Sequence, residues 1–201
     1  WQNQPIIRVR KRQMFLYFFI NIFAGVGGKC SMEGKRLTSY AMEELECPKC
    51  GHKHSLKKYK VINVTEKAKL KEEIMKNRLY QFSCEECEYM APLTYDSLYV
   101  DSRRNIMIYM APVMNAEIKA EIAELEQEKS IDKRLVDNIN DLKEKIMIVD
   151  NHLDDRVIEI IKIMYLDQIK KEMEDDTLLN ILFDYNRDNY CFLVFFQKKY
   201  Q

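Results

Sequence analysis

The sequence predicts an α+β fold. Three observations carry this. Aromatic and β-branched runs stand toward both ends of the chain, at 54–64 and again at 178–185 and 190–196. Between them, apolar residues recur at helical spacing over 115–129, 137–149 and 154–171. Two Cys-x-x-Cys pairs, Cys47-Pro48-Lys49-Cys50 and Cys84-Glu85-Glu86-Cys87, bound the first strand segment. The predicted architecture is a zinc-ribbon-like β unit with an inserted helix, then a helical segment and a C-terminal β-hairpin.

Composition narrows the class. The 201 residues are 47% hydrophobic and 11% aromatic, enough apolar material for one core or two small ones. Five Gly and four Pro exclude collagen-like and linker-dominated chains. The 32 Lys+Arg balance the 32 Asp+Glu, so no global charge favours nucleic acid or a membrane surface.

The cysteine pairs carry the most specific chemistry. Two thiolates at that spacing face one point on a tight turn, and two such turns supply four soft ligands that suit one tetrahedral zinc ion. The expected metal ligands are Cys47, Cys50, Cys84 and Cys87, holding structural zinc. The same four thiolates accept iron, and a dithiol or disulfide is the remaining alternative. Four thiolates close the coordination shell, which argues against catalytic zinc. Gly51 follows the first pair, where a residue tolerant of φ > 0 is useful, but Glu88 follows the second. His52 and His54, beside the first pair, read as a surface pair, with a substitute ligand or a role next to the site as the alternative. Cys191 lies in an apolar run and reads as a buried free thiol.

The 33 residues between the pairs need structure of their own. Residues 54–64 read as a strand. Thr65 is placed to cap a helix over 66–78, with Leu70, Ile74, Met75 and Leu79 on its apolar face. Residues 79–82 lead back as a strand. Residues 90–99 and 105–110 read as short strands around the turn Asp101-Ser102-Arg103-Arg104. The helix at 115–129 has a narrow stripe of Ile118, Ile122 and Leu125, which fits an edge of the core or a dimer contact. Asp137 or Asn138 starts the next helix, and Asp154 the third, whose apolar residues are Val157, Ile160, Ile161, Met164 and Ile169.

The Cys-Pro-x-Cys motif paired with the later Cys-x-x-Cys resembles the CpXC family of bacterial and archaeal zinc-ribbon-like domains. The resemblance continues through Tyr80-Gln81-Phe82-Ser83, Arg104 to Pro112, Lys145-Ile146-Met147-Ile148 and Leu153 to Glu159. It covers about 43–165, with 113–140 unmatched. It implies cysteine-bound zinc and no particular reaction.

Residues 1–31 stand apart. They hold Arg8, Arg10, Lys11, Arg12 and Lys29 without one acid, leaving 27 basic against 32 acidic residues in 32–201. Basic residues before the apolar stretch 14–24 match the order of a signal peptide or surface anchor, and a packed element is a third reading. The stretch is too short for a membrane-spanning helix. The favoured reading is an extension upstream of a native start at Met32, because the chain begins with Trp1 and Gly25 to Ser31 is what a bacterial ribosome-binding site would encode. The domain organisation expected is therefore 1–31 as a doubtful extension and 41–112 as the zinc-ribbon-like core. Residues 113–201 then supply helices and a hairpin packed on the same domain.

Two further sites are considered. His152, Asp154, Asp155 and Glu159 form a carboxylate cluster able to bind a hard cation or do acid–base work, with helix capping and surface pairing by Arg156 as the alternative. Lys53, Lys57, Lys58 and Lys60 with Tyr59, extended by Arg103 and Arg104, form a basic, aromatic strand that nucleic acid would contact. The functional expectation is a cytoplasmic, non-catalytic zinc module that acts through a protein partner or self-association. A nucleic-acid-binding ribbon and a metal-dependent enzyme are the alternatives.

Overall fold

The computed structural model describes residues 6–9, 37–126, 130–172, 177–186 and 189–197. The fold is α+β, and the chain divides into two compact units, Cys30–Lys143 and Trp1–Lys29 with Glu144–Gln201. The first is called the cysteine unit here and the second the helical unit. Cys30 and the stretch 14–24 lie outside the described residues.

The helical unit contains the strand β1 (Ile6–Val9). The cysteine unit is built on a five-stranded sheet. Its strands are β2 (Ser39–Glu46) and β3 (Lys53–Asn63), then β6 (Ser97–Asp101), β7 (Ile106–Met110) and β8 (Asp132–Val136), hydrogen-bonded in that order. β3 runs parallel to β6, and β7 parallel to β8. Parallel neighbours need long crossovers. The first crossover carries α1 (Lys69–Met75), a 3-10 turn (Arg78–Tyr80) and the two-stranded hairpin β4 (Gln81–Ser83) and β5 (Met90–Pro92). The second carries α2 (Ala116–Glu126).

Every residue of β6 and β7 is buried. Both strands are therefore covered on both faces, and the near-continuous run Ile106-Met107-Ile108-Tyr109-Met110 suits that position. On one face Leu98, Val100, Met107 and Tyr109 pack with Ile118 and Leu125 of α2. Full burial of side chains like these contributes roughly 1.5–3 kcal/mol each. The stripe on α2 thus serves the core, and Asn115 caps the helix by accepting the Ile118 N–H at 2.8 Å.

The helical unit takes in the C-terminal part of α3 (Ile139–Asp150) and α4 (Asp155–Glu172). Its antiparallel sheet also holds β9 (Thr177–Asn186) and β10 (Asn189–Gln197), in the order β1-β10-β9. Ile169 of α4 packs with Ile181, Val194 and Phe196, while Ile158 packs with Ile148 and Phe183.

Four local expectations are corrected. Thr65 does not cap α1: its hydroxyl accepts the Ser102 N–H at 2.8 Å, and Asn63 takes the Thr65 and Glu66 N–H groups, so the helix starts only at Lys69. Leu70 and Ile74 are buried as expected, but Met75 is exposed. The expected apolar face of α4 holds only in part, with Ile169 buried and Ile161 half-buried. Val157, Ile160 and Met164 are exposed, while Ile158, Lys162 and Ile169 are buried, because Lys162 finds ionic partners inside. Cys191 is only half-buried and lies 3.8 Å from Asp184 Oδ2. β8 has no counterpart among the expected elements.

Candidate metal centre

Each cysteine pair sits on a turn between antiparallel strands, the first between β2 and β3 and the second between β4 and β5. The two turns are built alike. Cys47 N–H donates to His52 O at 2.8 Å, and Gly51 N–H to Cys47 O at 2.9 Å. In the second turn Cys84 N–H donates to Tyr89 O at 2.8 Å, and Glu88 N–H to Cys84 O at 3.0 Å. The residue after each second cysteine is left-handed, with φ 72° at Gly51 and 56° at Glu88. Glycine reaches that region without steric cost; glutamate does not.

The turns bring the four sulfurs together. All lie within 4.8 Å of one another, close enough for the set to hold one metal ion. Cys47 Sγ is 3.6 Å from Cys87 Sγ, and Cys50 Sγ is 3.6 Å from Cys84 Sγ. A disulfide needs about 2.05 Å, and all four are free thiols. Cys47 and Cys84 are buried, Cys87 is half-buried and Cys50 is exposed.

Burial, backbone N–H groups and neighbouring sulfurs shift three of the four thiols. Burial pushes the Cys47 thiol up, but the backbone N–H groups of Cys50 and Lys49 outweigh it and bring it down to about 7. At Cys50 the His52 N–H pulls downward, yet desolvation and the sulfurs of Cys84, Cys87 and Cys47 prevail and push it up to about 12. Desolvation likewise raises Cys87.

Around the sulfurs, Phe82 packs with Cys47 and Cys84, and Leu56, Tyr89 and Leu93 close the apolar shell. Of the two histidines expected as a surface pair, His54 instead follows the alternative and lies next to the site. Its Nε2 lies 3.2 Å from Cys84 Sγ, and its ring stands edge-on to Phe82 at 5.4 Å. Strand alternation is the signal that points to it, since His54 shares a face of β3 with Leu56. His52 stays outside, 3.9 Å from Glu86 of the second turn.

The residues 152–159 come together differently. His152 (φ 56°) ends α3: its N–H donates to Val149 O, and Leu153 N–H to Ile148 O, the paired bonds of a Schellman turn. Asp154 caps α4 by accepting the Arg156 N–H at 3.0 Å, and also pairs with the Arg156 guanidinium at 2.7 Å. Asp155 is buried, with Lys145 Nζ at 3.5 Å. Glu159 binds Lys145 at 2.6 Å and Lys162 at 3.1 Å, and Lys162 binds Glu144 at 2.6 Å. Glu144 also accepts the Phe183 N–H. The result is an alternating chain of Asp155, Lys145, Glu159, Lys162 and Glu144, with its charges paired within the unit.

The basic strand is offset by its neighbour. Glu43 pairs with Lys58 at 2.6 Å, and the register sets Glu46 opposite Lys53. Lys57 lies over the Tyr40 ring at 4.3 Å. Arg103 bonds Thr65 O and Arg104 bonds Asp101, which ties both to the β6–β7 turn. Among the described residues, no helix is long and apolar enough to cross a membrane.

Compared with curated proteins and with solved structures, the chain has no match. The family model described as CpXC protein matches residues 45–162, well over half the chain, from just before the first cysteine turn to Lys162. The chain belongs to the CpXC family.

Proposed function

We propose that the chain is a non-catalytic zinc module in which Cys47, Cys50, Cys84 and Cys87 hold one structural Zn²⁺, and that it acts by binding a protein partner or a second copy of itself. The observation that carries the metal reading is the sulfur geometry. At a Zn–S bond of about 2.3 Å a tetrahedron has edges of roughly 3.8 Å; two cross-pair separations, Cys47–Cys87 and Cys50–Cys84, are 3.6 Å, and all four sulfurs lie within 4.8 Å of one another. Four thiolates leave no position for substrate, which favours a structural ion over a catalytic one. Zinc supplies folding free energy in such sites, and the strained Glu88 turn is where that support is needed most.

The association reading rests on exposed apolar side chains. Val157, Ile160, Ile163 and Met164 lie on the outer side of α4. The free thiols fit a reducing compartment, so we place the protein in the cytoplasm. The pairing of Lys58 with Glu43 and of Lys162 with Glu144 supports neither a nucleic-acid surface nor an acid–base centre.

Elemental analysis of the purified protein, together with its mass in solution, tests this reading. One zinc per chain is expected. Iron in its place, or a protein that retains no metal after purification under reducing conditions, overturns it.

A further inference from the structure

We propose that His54 is a positioning residue of the cysteine site, donating its Nε2–H to the Cys84 sulfur and so restraining that ligand and drawing charge from it. The proposal rests on the zinc reading above and deepens it.

Geometry carries it. Nε2 stands 3.2 Å from Cys84 Sγ, within hydrogen-bond reach of a sulfur acceptor. A metal-bound thiolate has no proton, so the histidine nitrogen is the donor. The ring is held from two sides, edge-on to Phe82 at 5.4 Å and tilted against His52 at 5.0 Å. The other sulfur contacts of the site join cysteine to cysteine. At Cys84 the sulfur also meets a nitrogen donor, His54 Nε2.

The placement has a physical reason. Cys84 opens the turn that lacks glycine, where Glu88 is held at φ 56°. Its backbone frame is therefore the more strained of the two. A side-chain donor from β3 secures the buried cysteine of that turn from outside it. An N–H···S bond also lowers the energy of the sulfur lone pairs, and a tetrathiolate around a dication carries an excess negative charge to relieve.

The test uses the full chain loaded with cobalt(II), and separately with zinc. His54→Phe removes the donor and keeps a ring against Phe82; His54→Gln keeps an N–H donor. In His54→Phe the sulfur-to-cobalt charge-transfer band moves to lower energy, and zinc affinity, measured by chelator competition, falls about 10-fold. His54→Gln stays near wild type in both. If His54→Phe does not fold by far-UV circular dichroism, His54→Asn, whose amide is too short to reach the sulfur, repeats the loss of the donor. A donor-free variant with the wild-type band and affinity overturns the proposal. So does a His54→Gln that shifts as far as His54→Phe, which would assign the effect to ring packing. So does a wild-type cobalt spectrum of three sulfurs and one nitrogen that changes in His54→Phe, which would make His54 a ligand itself. A wild-type chain that takes up neither metal overturns the zinc reading, and the proposal with it.

Discussion

The cysteine unit and the helical unit both bury ionisable side chains, and they neutralise them by different means. In the cysteine unit Cys47 and Cys84 are each 1% exposed, and the nearby Lys49 ammonium bonds Cys87 O rather than a sulfur. Like groups stand against like, and the four sulfurs lie close enough together for the set to hold one metal ion. In the helical unit Glu144 is 2% exposed, and Lys162, at 8%, lies 2.6 Å from it. There the chain brings both signs. Where the opposite charges are already paired, as in the 144–162 chain, the cluster is complete in itself. Where only one sign is present, as at the four cysteines, the cluster could hold a metal ion.

The largest expected effect breaks the cysteine side of this comparison. Removing the ion with a chelator abolishes hydrogen-exchange protection at the turn amides Cys47, Gly51, Cys84 and Glu88, while the amides of Ile158 and Lys162 keep theirs. Equal loss at both places would show that the units do not neutralise charge separately. Next comes Lys162→Met. It strands the buried Glu144 and is expected to cost about 3–5 kcal/mol in denaturant unfolding. Adding Glu144→Leu should recover part of that loss, because it removes the unpaired charge but leaves the buried Phe183 N–H without its acceptor.

The acid limb of stability comes third. Burial pushes Glu159 upward, but Lys145 and Lys162 outweigh it and hold its carboxyl below the ordinary value of 4.5. Its contribution is therefore complete above that value and is lost as pH falls through the lower folded-state value. Glu144 runs the opposite way. Burial outweighs Lys162 and raises it, so its effect favours the fold at low pH and fades as pH rises through the raised value. Melting temperatures of Glu159→Gln between pH 3 and 7 should show a shallower acid decline than wild type. A decline as steep as in wild type would remove Glu159 from the account.

The smallest effects compare the two turns directly. Gly51→Ala should cost about 1 kcal/mol through φ alone, because the added Cβ meets only Glu46 Oε1 at 3.6 Å, an ordinary contact. Glu88→Gly should stabilise by roughly 0.5–1 kcal/mol. Thermal unfolding of the metal-loaded protein measures both, and effects of the same sign would end the parallel between the turns.

Much of this was legible in the sequence because it is local. Two cysteines three apart specify a turn, and Asp154 and the resemblance at 145–159 mark the helix start. The C-terminal hairpin follows from its aromatic runs. What escaped depends on neighbours distant in the chain. Asp132-Lys133-Arg134-Leu135-Val136 has no apolar alternation, and it becomes β8 only through parallel pairing with β7. The buried face of α4 is set by Lys162, a residue normally assigned to solvent, which is drawn inward by Glu144 and Glu159. Position beside the first pair left two readings of His54 open, and its contact with Cys84 arises only where β3 lies beside the second turn. Residues 113–140, where the resemblance lapsed, hold α2 and β8.

The separation of the cysteine pairs governs the order in which the site assembles. Each pair is complete within one short turn, so either can take hold of an ion as soon as that turn forms. Joining the second pair closes a segment of 33 residues, and the entropic cost of closure grows only by about 0.6 kcal/mol for each doubling of length. α1 and the β4–β5 hairpin shorten the effective segment further, since they form from local contacts. On the proposed zinc reading, stopped-flow metal uptake by the full chain is expected to show two stages, a rapid bidentate encounter followed by a slower chelate closure. The rate of that closure reports on the folding of the insert rather than on the chemistry of the metal.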